Sequence, residues 1–284
     1  MLLQSIRKIG HRAYSQAFVA DGAQVHDSVR LSHGVTIESR VKIKQNVMLH
    51  RYAQVLGDTT IGQNTAIHSF ACVGGPPQTK KSSTSTRTII GSDCVIREHV
   101  TIHAGSVEDT VLGNGVWLLA GSHVGHDSTI GDNVVVSNGS QIAGHVRIGN
   151  DTVLGGLVAL QQFCVVGRGA MIGGGSIVDR HIPPFSLIVG NRCRFRGINI
   201  RGLRRKGVPN AQIFPLLKTS RVLFPRNGGS DHRNIVEHAK MLARSMDRNE
   251  NNTLAIEFLN FIAHSGEVTT DWCPRRAALG IVQA

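Results

Sequence analysis

Residues 112–148 read LGNGVWLLAGSHVGHDSTIGDNVVVSNGSQIAGHVRI. An aliphatic residue returns every six positions in this stretch: Leu112, Leu118, Val124, Ile130, Val136, Ile142 and Ile148. The same register runs on through Leu154, Leu160, Val166, Ile172 and Val178, twelve hexads in all. Towards the N-terminus a second register holds Ile90, Ile96 and Ile102. A third holds nine hexads: Val25, Leu31, Ile37, Ile43, Leu49, Val55, Ile61, Ile67 and Val73. No anchor is polar. A helix of 3.6 residues per turn would scatter such anchors around its axis. Short strands, each with two inward residues and a turn at a corner, keep them on one side. Two positions before an anchor the side chain is usually small or β-branched, as at Val35, Val41, Thr59, Ala71, Ser122, Ser128, Ser140 and Thr152, and glycine often follows the anchor. Three such strands close a coil of 18 residues. The twenty-four hexads therefore predict eight coils of a parallel β-helix.

Two interruptions break the register, Gly74–Ile89 and Gly105–Thr110. Insertions in a solenoid project as loops and often carry function. After Pro183-Pro184 the hexads stop, and helical patterns follow at about Asn210–Leu223, Arg233–Met246 and Thr253–His264. Ile235, Ala239, Leu242 and Met246 form one apolar stripe, and Leu254, Phe258 and Phe261 another. Asn251 or Asn252 is expected to cap the last helix and Gly266 to end it. The organisation expected is a basic arm over residues 1–18, a β-helix over 19–190 with an inserted loop at 74–89, and a helical domain over 191–284.

Composition sets outer limits. A chain of 284 residues with 41% hydrophobic and 18% charged residues sustains a core, which excludes a disordered chain. Five cysteines without CxxC spacing argue against a disulfide scaffold and a cysteine zinc site, and fit a reducing compartment. No apolar run approaches the roughly 18 residues that span a bilayer. With 31 Lys+Arg against 19 Asp+Glu the net charge is +12, which attracts polyanions without selecting one. Arg7, Lys8 and Arg12 lie opposite Leu2, Ile6, Ile9 and Ala13, with no acid before Asp21. This segment lacks a secretory apolar region; it reads as an organellar, mitochondrial transit sequence, with an ordinary basic arm in the cytoplasm as the alternative.

The 18-residue coil makes stacking readable. His126 falls under Gly144 and Gly144 under Gln162; Asp127 falls under His145. His123 shares the face of His126. One corner thus gathers His123, His126, Asp127, Gly144, His145 and Gln162. A histidine with a pKa near ~6.5 is the usual general base at neutral pH. The Gly144 N–H is placed to receive an oxyanion beside it. Zinc held by His123, His126 and His145 is the alternative, and a cluster of solvent-facing histidines is the bland one. Arg192, Arg194, Arg196, Arg201, Arg204, Arg205 and Lys206 form a second cluster without an acid, suited to phosphate or an acidic carrier. Phe195 is its one aromatic residue, which disfavours stacking on nucleic acid. Cys94 and Cys164 fall at inward positions and Cys72 outward, none with an evident base, so no cysteine nucleophile is expected.

The stretch GSHVGHD (121–127), with IAGHV (142–146), QQFC (161–164), and GN (190–191) leading to GINIRGLRR (197–205), closely resembles the UDP-N-acetylglucosamine acyltransferases that open lipid A synthesis. The resemblance is to an organellar, plant-like eukaryotic version. The resemblance runs from about Phe18 through the helical tail. It implies a left-handed parallel β-helix homotrimer with active sites between subunits, no metal and no cofactor, the acyl donor riding on the phosphopantetheine of an acidic acyl carrier protein. It places the catalytic base at His126, its aspartate at Asp127 and the oxyanion donor at Gly144. Adjacency in sequence suggests that Asp127 acts through neighbours and not as a direct partner. Gln78, Lys81, His123, His145, Gln162, Asn199 and Arg205 match nucleotide-sugar positions. Gly174 matches a position that limits acyl length, where glycine leaves room for a long chain.

Three residues depart from the family pattern, which often has aspartate at Thr79, histidine at Gln161 and glutamate at Arg201. Thr79 and Arg201 alter charge at the sugar rim, so weaker binding of the sugar nucleotide is expected. A sibling N-acyltransferase would carry a uridine-binding domain before its hexads, whereas only about 18–24 residues precede the first anchor. A γ-type carbonic anhydrase would require zinc and lack the helical tail. A non-catalytic scaffold would not need the histidine–glycine–glutamine ladder.

Overall fold

A computed structural model of the chain describes residues 17–80, 86–225 and 235–264. The chain divides into two compact units, Met1–Arg147 and Ile148–Ala284. It is a parallel β-solenoid of about nine turns with a helical C-terminal part.

In the first unit three parallel sheets are built from strands mostly two residues long. One sheet takes Phe18–Val19, Thr36–Ile37, Gln54–Val55, Cys72–Gly75, Thr101–His103, His123–Val124 and Gln141–Ile142 in hydrogen-bonded order. Partners lie one 18-residue coil apart, as in Thr36↔Gln54 and His123↔Gln141. Cys72 instead pairs with Thr101, 29 positions on, and Thr101 with His123, 22 positions on. The two interruptions therefore add eleven and four residues to otherwise regular coils. Val19, six residues before Val25, is one further anchor beyond the nine of its register.

The anchors from Leu31 to Ile142 are buried. Burying a side chain of that size contributes ~1.5–3 kcal/mol each. The small residues two positions earlier are buried as well, and some of their hydroxyls bond within the turn or to the next coil: Thr59 Oγ1 donates to Leu56 O at 2.6 Å and Ser128 Oγ to Ala143 O at 3.1 Å, whereas those of Thr88 and Ser122 take no partner among the described residues. Most corners take left-handed backbone three residues past the anchor. Asn46, Asn64, Asp93, Asp127, Asn133 and His145 occupy it with φ between 56° and 61°. Asn and Asp tolerate this region better than other non-glycine residues.

In the second unit Leu154, Leu160, Val166, Ile172 and Val178 are buried in the same manner. The hexads do not stop at Pro183-Pro184. Ile182 bridges to Val166, and Ser186–Val189 pairs in parallel with Met171–Ile172, so the two prolines sit at a corner of one more coil. Proline is tolerated there because a corner needs no ladder N–H. Arg194–Ile198 then returns antiparallel on Ser186–Val189, so the sheet extends past residue 190, where the sequence suggested its end.

Among the described residues four α-helices follow: α1 (Ile200–Arg205), α2 (Asn210–Leu223), α3 (Ile235–Ser245) and α4 (Thr253–His264). The short α1 had no apolar periodicity to announce it. Ile213, Leu216, Leu223, Ile235, Ala239, Leu254, Phe258 and Ile262 form the helical core. Phe261 is only half-buried, and Ile262 fills the place expected for it. The cap before α4 is neither Asn251 nor Asn252: Asn249 Oδ1 accepts the Asn252 N–H at 3.1 Å, capping a 3₁₀ turn that leads into the helix. Gly266, Cys273 and nearly all of the basic arm lie outside the described residues. Among the described residues, no helix is long and apolar enough to cross a membrane.

Candidate active site

His126 and Asp127 occupy the corner after the strand His123–Val124. Adjacent residues of an extended strand point to opposite sides. The left-handed backbone of Asp127, φ 61°, undoes that separation and swings its carboxylate back beside the imidazole. His126 Nδ1 lies 2.5 Å from Asp127 Oδ2, so the pair is a direct dyad and not the indirect arrangement expected from adjacency. Both side chains are buried. His145 stands one coil on, its Nε2 3.5 Å from the same oxygen and its ring edge-on to that of His126, with centroids 5.1 Å apart.

Asp127 is ionised. Burial alone would raise its pKa, but hydrogen bonds from the Val107 N–H, His126, Ser106 and the Glu108 N–H outweigh it and hold the carboxyl at about 2. A carboxylate accepts only, so the proton of the short contact belongs to His126 Nδ1, and the neutral form of the ring carries its lone pair on Nε2. Four of the donors come from Ser106, Val107 and Glu108, within the short Gly105–Thr110 interruption. Thr110 Oγ1 accepts the Asp127 N–H at 2.9 Å. Sequence reasoning missed these residues, since backbone donors have no side-chain signature. The signal available was position: the slip falls in the coil directly preceding Asp127.

Gly144 packs on the imidazole. A Cβ there would stand 2.7 Å from His126 Nε2 and 2.6 Å from Cε1, so the ring occupies the volume a side chain would need. At the equivalent corner position the Ser92 and Asn114 N–H groups point outward to side-chain acceptors, Asn114 Oδ1 and Asp132 Oδ1. The Gly144 N–H takes no such acceptor among the described residues.

His123 and His103 lie on the outer face of the same sheet. Their rings meet edge-on with centroids 4.9 Å apart, and Thr101 Oγ1 is 2.7 Å from His123 Nδ1. Burial, then the nearby His103 and His126, push the His123 pKa down to about 4. Burial lowers that of His103 as well. His103 was not among the expected residues.

His126, Asp127 and His145 place ligand atoms within 4.8 Å of one another, the separation of a metal cluster. The donor set does not suit an ion. Asp127 Oδ1 already accepts three backbone N–H groups, and Oδ2 accepts the Ser106 hydroxyl and His126. His123, the third ligand of the zinc alternative, is not in the cluster. Cysteine chemistry fares no better: burial raises the thiols of Cys72 and Cys94, and pushes that of Cys193 up to about 11, which suppresses thiolate.

Of the remaining expected residues, Gln78 is exposed just past Cys72–Gly75, and Lys81 lies outside the described residues. Thr79 donates its N–H to Pro77 O at 3.0 Å. In the second unit Gln162 is half-buried at a corner and Gln161 is exposed beside it. Gly174 is exposed, and a Cβ on it would come within 3.2 Å of Gly156 O. Asn199 holds the backbone together at two points, since its Oδ1 caps α1 through the Gly202 N–H and its Nδ2 donates to Gly169 O, each at 3.0 Å. Arg205 is exposed in the last turn of α1, and Arg201 is exposed at its start. The basic cluster is partly neutralised, Lys206 by Asp151 at 2.6 Å and Arg192 by Asp179 at 4.0 Å.

Comparison with known proteins bears on the family. The family described as Udp N-acetylglucosamine O-acyltransferase, domain 2, matches residues 181–268, and the bacterial transferase hexapeptide family matches 40–75 and 109–144. The chain is 36% identical over 253 residues to the acyl-[acyl-carrier-protein]–UDP-N-acetylglucosamine O-acyltransferase of Burkholderia orbicola, covering 88% of this chain and 96% of that one. Among solved structures, the UDP-N-acetylglucosamine acyltransferase of Campylobacter jejuni superposes with a TM-score of 0.77 at 34% identity, over 86% of this chain and 93% of its own. The Arabidopsis UDP-N-acetylglucosamine acyltransferase superposes with a TM-score of 0.72 at 27% identity, over 88% and 97%. With near-complete coverage on both sides, the chain belongs to the UDP-N-acetylglucosamine O-acyltransferase family.

Proposed function

We propose that the chain transfers a 3-hydroxyacyl group from acyl carrier protein to the 3-hydroxyl of UDP-N-acetylglucosamine, the first step of lipid A-type synthesis, with His126 as general base. The observation that carries the mechanism is the His126–Asp127 contact at 2.5 Å with Gly144 against Nε2. Asp127 keeps the Nδ1 proton in place, so Nε2 accepts the proton of the sugar hydroxyl as its oxygen attacks the thioester carbonyl. The Gly144 N–H donates to the oxyanion of the tetrahedral intermediate. On collapse the thiolate of phosphopantetheine leaves and takes the proton from His126. Neither a metal nor an acyl-enzyme is needed, consistent with the saturated Asp127 and the suppressed thiols.

The exposed arginines around α1 and the net charge of +12 favour an acidic carrier. In this reading the chain works as a homotrimer, with Gln78, Lys81, His123, His145, Gln162 and Arg205 at the nucleotide sugar and Gly174 beside the acyl chain. Asn199 contributes by fixing the start of α1. The basic N-terminal segment supports a mitochondrial address.

The test mixes purified chain with UDP-N-acetylglucosamine and 3-hydroxyacyl carrier proteins of several lengths. Product from the wild type and none from His126→Ala supports the reading. Equal turnover by both removes His126 from the mechanism.

A further inference from the structure

Asp127 is gripped by more than its histidine. Its Oδ1 accepts the N–H groups of Ser106, Val107 and Glu108 at 2.8, 2.8 and 2.7 Å. Three consecutive N–H groups aimed at one oxygen form a nest that fixes an anion in place. A nest on one oxygen leaves the carboxylate free to rotate about that point, because the final torsion of aspartate is broad and two-fold. Ser106 removes this freedom. It donates its N–H to Oδ1 and its hydroxyl, at 2.8 Å, to Oδ2, the oxygen that faces His126. No other residue described donates to both oxygens.

The loop carrying Ser106 is itself held at its far side. Thr86 Oγ1 donates to Glu108 O at 2.6 Å, Arg87 forks onto Asp109 at 3.0 and 2.6 Å, and Arg147 reaches Glu108 at 3.3 Å. The four-residue slip in the coil is thus a braced structure whose inner edge ends on the dyad.

We propose that Ser106 is a positioning residue for the acyl-transfer base: by bridging both oxygens it fixes the plane of the Asp127 carboxylate, which keeps the His126 proton on Nδ1 and the lone pair on Nε2. The consequence for turnover rests on the acyl-transfer reading above. The consequence for the histidine does not.

Two measurements on full-length chain separate these. With ¹⁵N-labelled histidine, NMR of the wild type should show a strongly deshielded His126 Nδ1 proton and an unprotonated Nε2. In Ser106→Ala that proton signal should move upfield or broaden, as the second tautomer becomes populated. In the acyl-transfer assay kcat should fall about tenfold, the scale of one hydrogen bond to a charged group, with KM for UDP-N-acetylglucosamine unchanged. Ser106→Thr keeps the hydroxyl and should restore both signals. Ser106→Cys, a weaker donor, should fall between and serves if the alanine variant does not fold. An unaltered tautomer signal in folded Ser106→Ala overturns the proposal, whether or not kcat falls. A wild type that transfers no acyl group, but whose tautomer still responds to Ser106→Ala, refutes the substrate reading and leaves the positioning role standing.

Discussion

The corner after strands Lys42–Ile43, Thr59–Ile61, Thr88–Ile90 and Thr110–Leu112 can be laid against the corner after Gln54–Val55, Cys72–Gly75, Thr101–His103 and His123–Val124. Both belong to the first unit and share the same turn. In the former the outward positions form polar ladders along the coils. Gln45 Nε2 donates to Gln63 Oε1 at 2.7 Å, Asn46 Nδ2 to Asn64 Oδ1 at 3.2 Å, and Asn64 Nδ2 to Asp93 Oδ1 at 3.1 Å. Further on, Asn114 and Asp132 each close an N–H of the coil before. In the latter the second residue past each anchor is Gly57, Gly75, Ala104, His126 and Gly144. Small residues flank one histidine, and its Nε2 and the Gly144 N–H take no partner among the described residues, although Asp127 beside them is saturated. The first corner satisfies itself; the second leaves a base and an N–H donor for a substrate to satisfy.

Removing the base breaks this contrast most severely. His126→Ala should lower kcat by about 10²–10⁴-fold while circular dichroism and gel filtration stay as in the wild type. Gly144→Ala comes next. Its Cβ would stand 2.6 Å from His126 Cε1, so the ring must move off line. A misplacement of that size costs about 10²-fold in kcat. Wild-type turnover in Gly144→Ala would mean that the close packing of ring on backbone has no part in the reaction.

The solenoid was legible because its period is written in residues that must be buried: the anchors from Leu31 to Ile142 obey it, and stacking by 18 placed Gly144 and His145 over the dyad. Three features were not legible, each for a physical reason. Asp127 meets His126 directly because of a left-handed φ, which Asp permits but does not announce. The nest is made of backbone N–H groups, to which Val107 contributes though the residue is 77% exposed. Pro183-Pro184 looked like a terminus because proline ends strands, yet at a corner it breaks no ladder bond, and Ile188 resumes the sheet six residues after Ile182. The Asn199 match to a sugar-binding position did not anticipate that both ends of its amide are engaged in holding α1.

The self-satisfied corner offers a smaller, opposite effect. Asn114→Ala deprives the Ser92 N–H of its acceptor and Asp132 of a donor. These exposed bonds contribute ~0.5–1.5 kcal/mol each at most. Melting should come about 2–4 °C lower and kcat should not change. A fall in kcat comparable to that of Gly144→Ala would show that the two corners are not separable.

The weakest effect concerns pH and sharpens the same distinction, because the face beside the dyad carries the imidazoles of His103 and His123 where the other carries amides. His123 titrates at about 4 in the folded chain against an ordinary value of 6.5. Between those values the unfolded chain binds a proton that the folded chain refuses, so stability falls as pH drops from 6.5 to 4. Asp127, held at about 2 against 3.8, extends the loss: the stability it gives above 3.8 disappears as pH falls through about 2. His103 and His145 are lowered in the same direction by burial, so they share the upper part of the slope. His123→Gln should therefore flatten, and not abolish, the fall of melting temperature between pH 6.5 and 4, while the loss below pH 3.8 is kept. An unchanged slope in that variant would mean that water reaches the His123 ring freely, and that the face beside the dyad is no drier than the amide ladders across the coil.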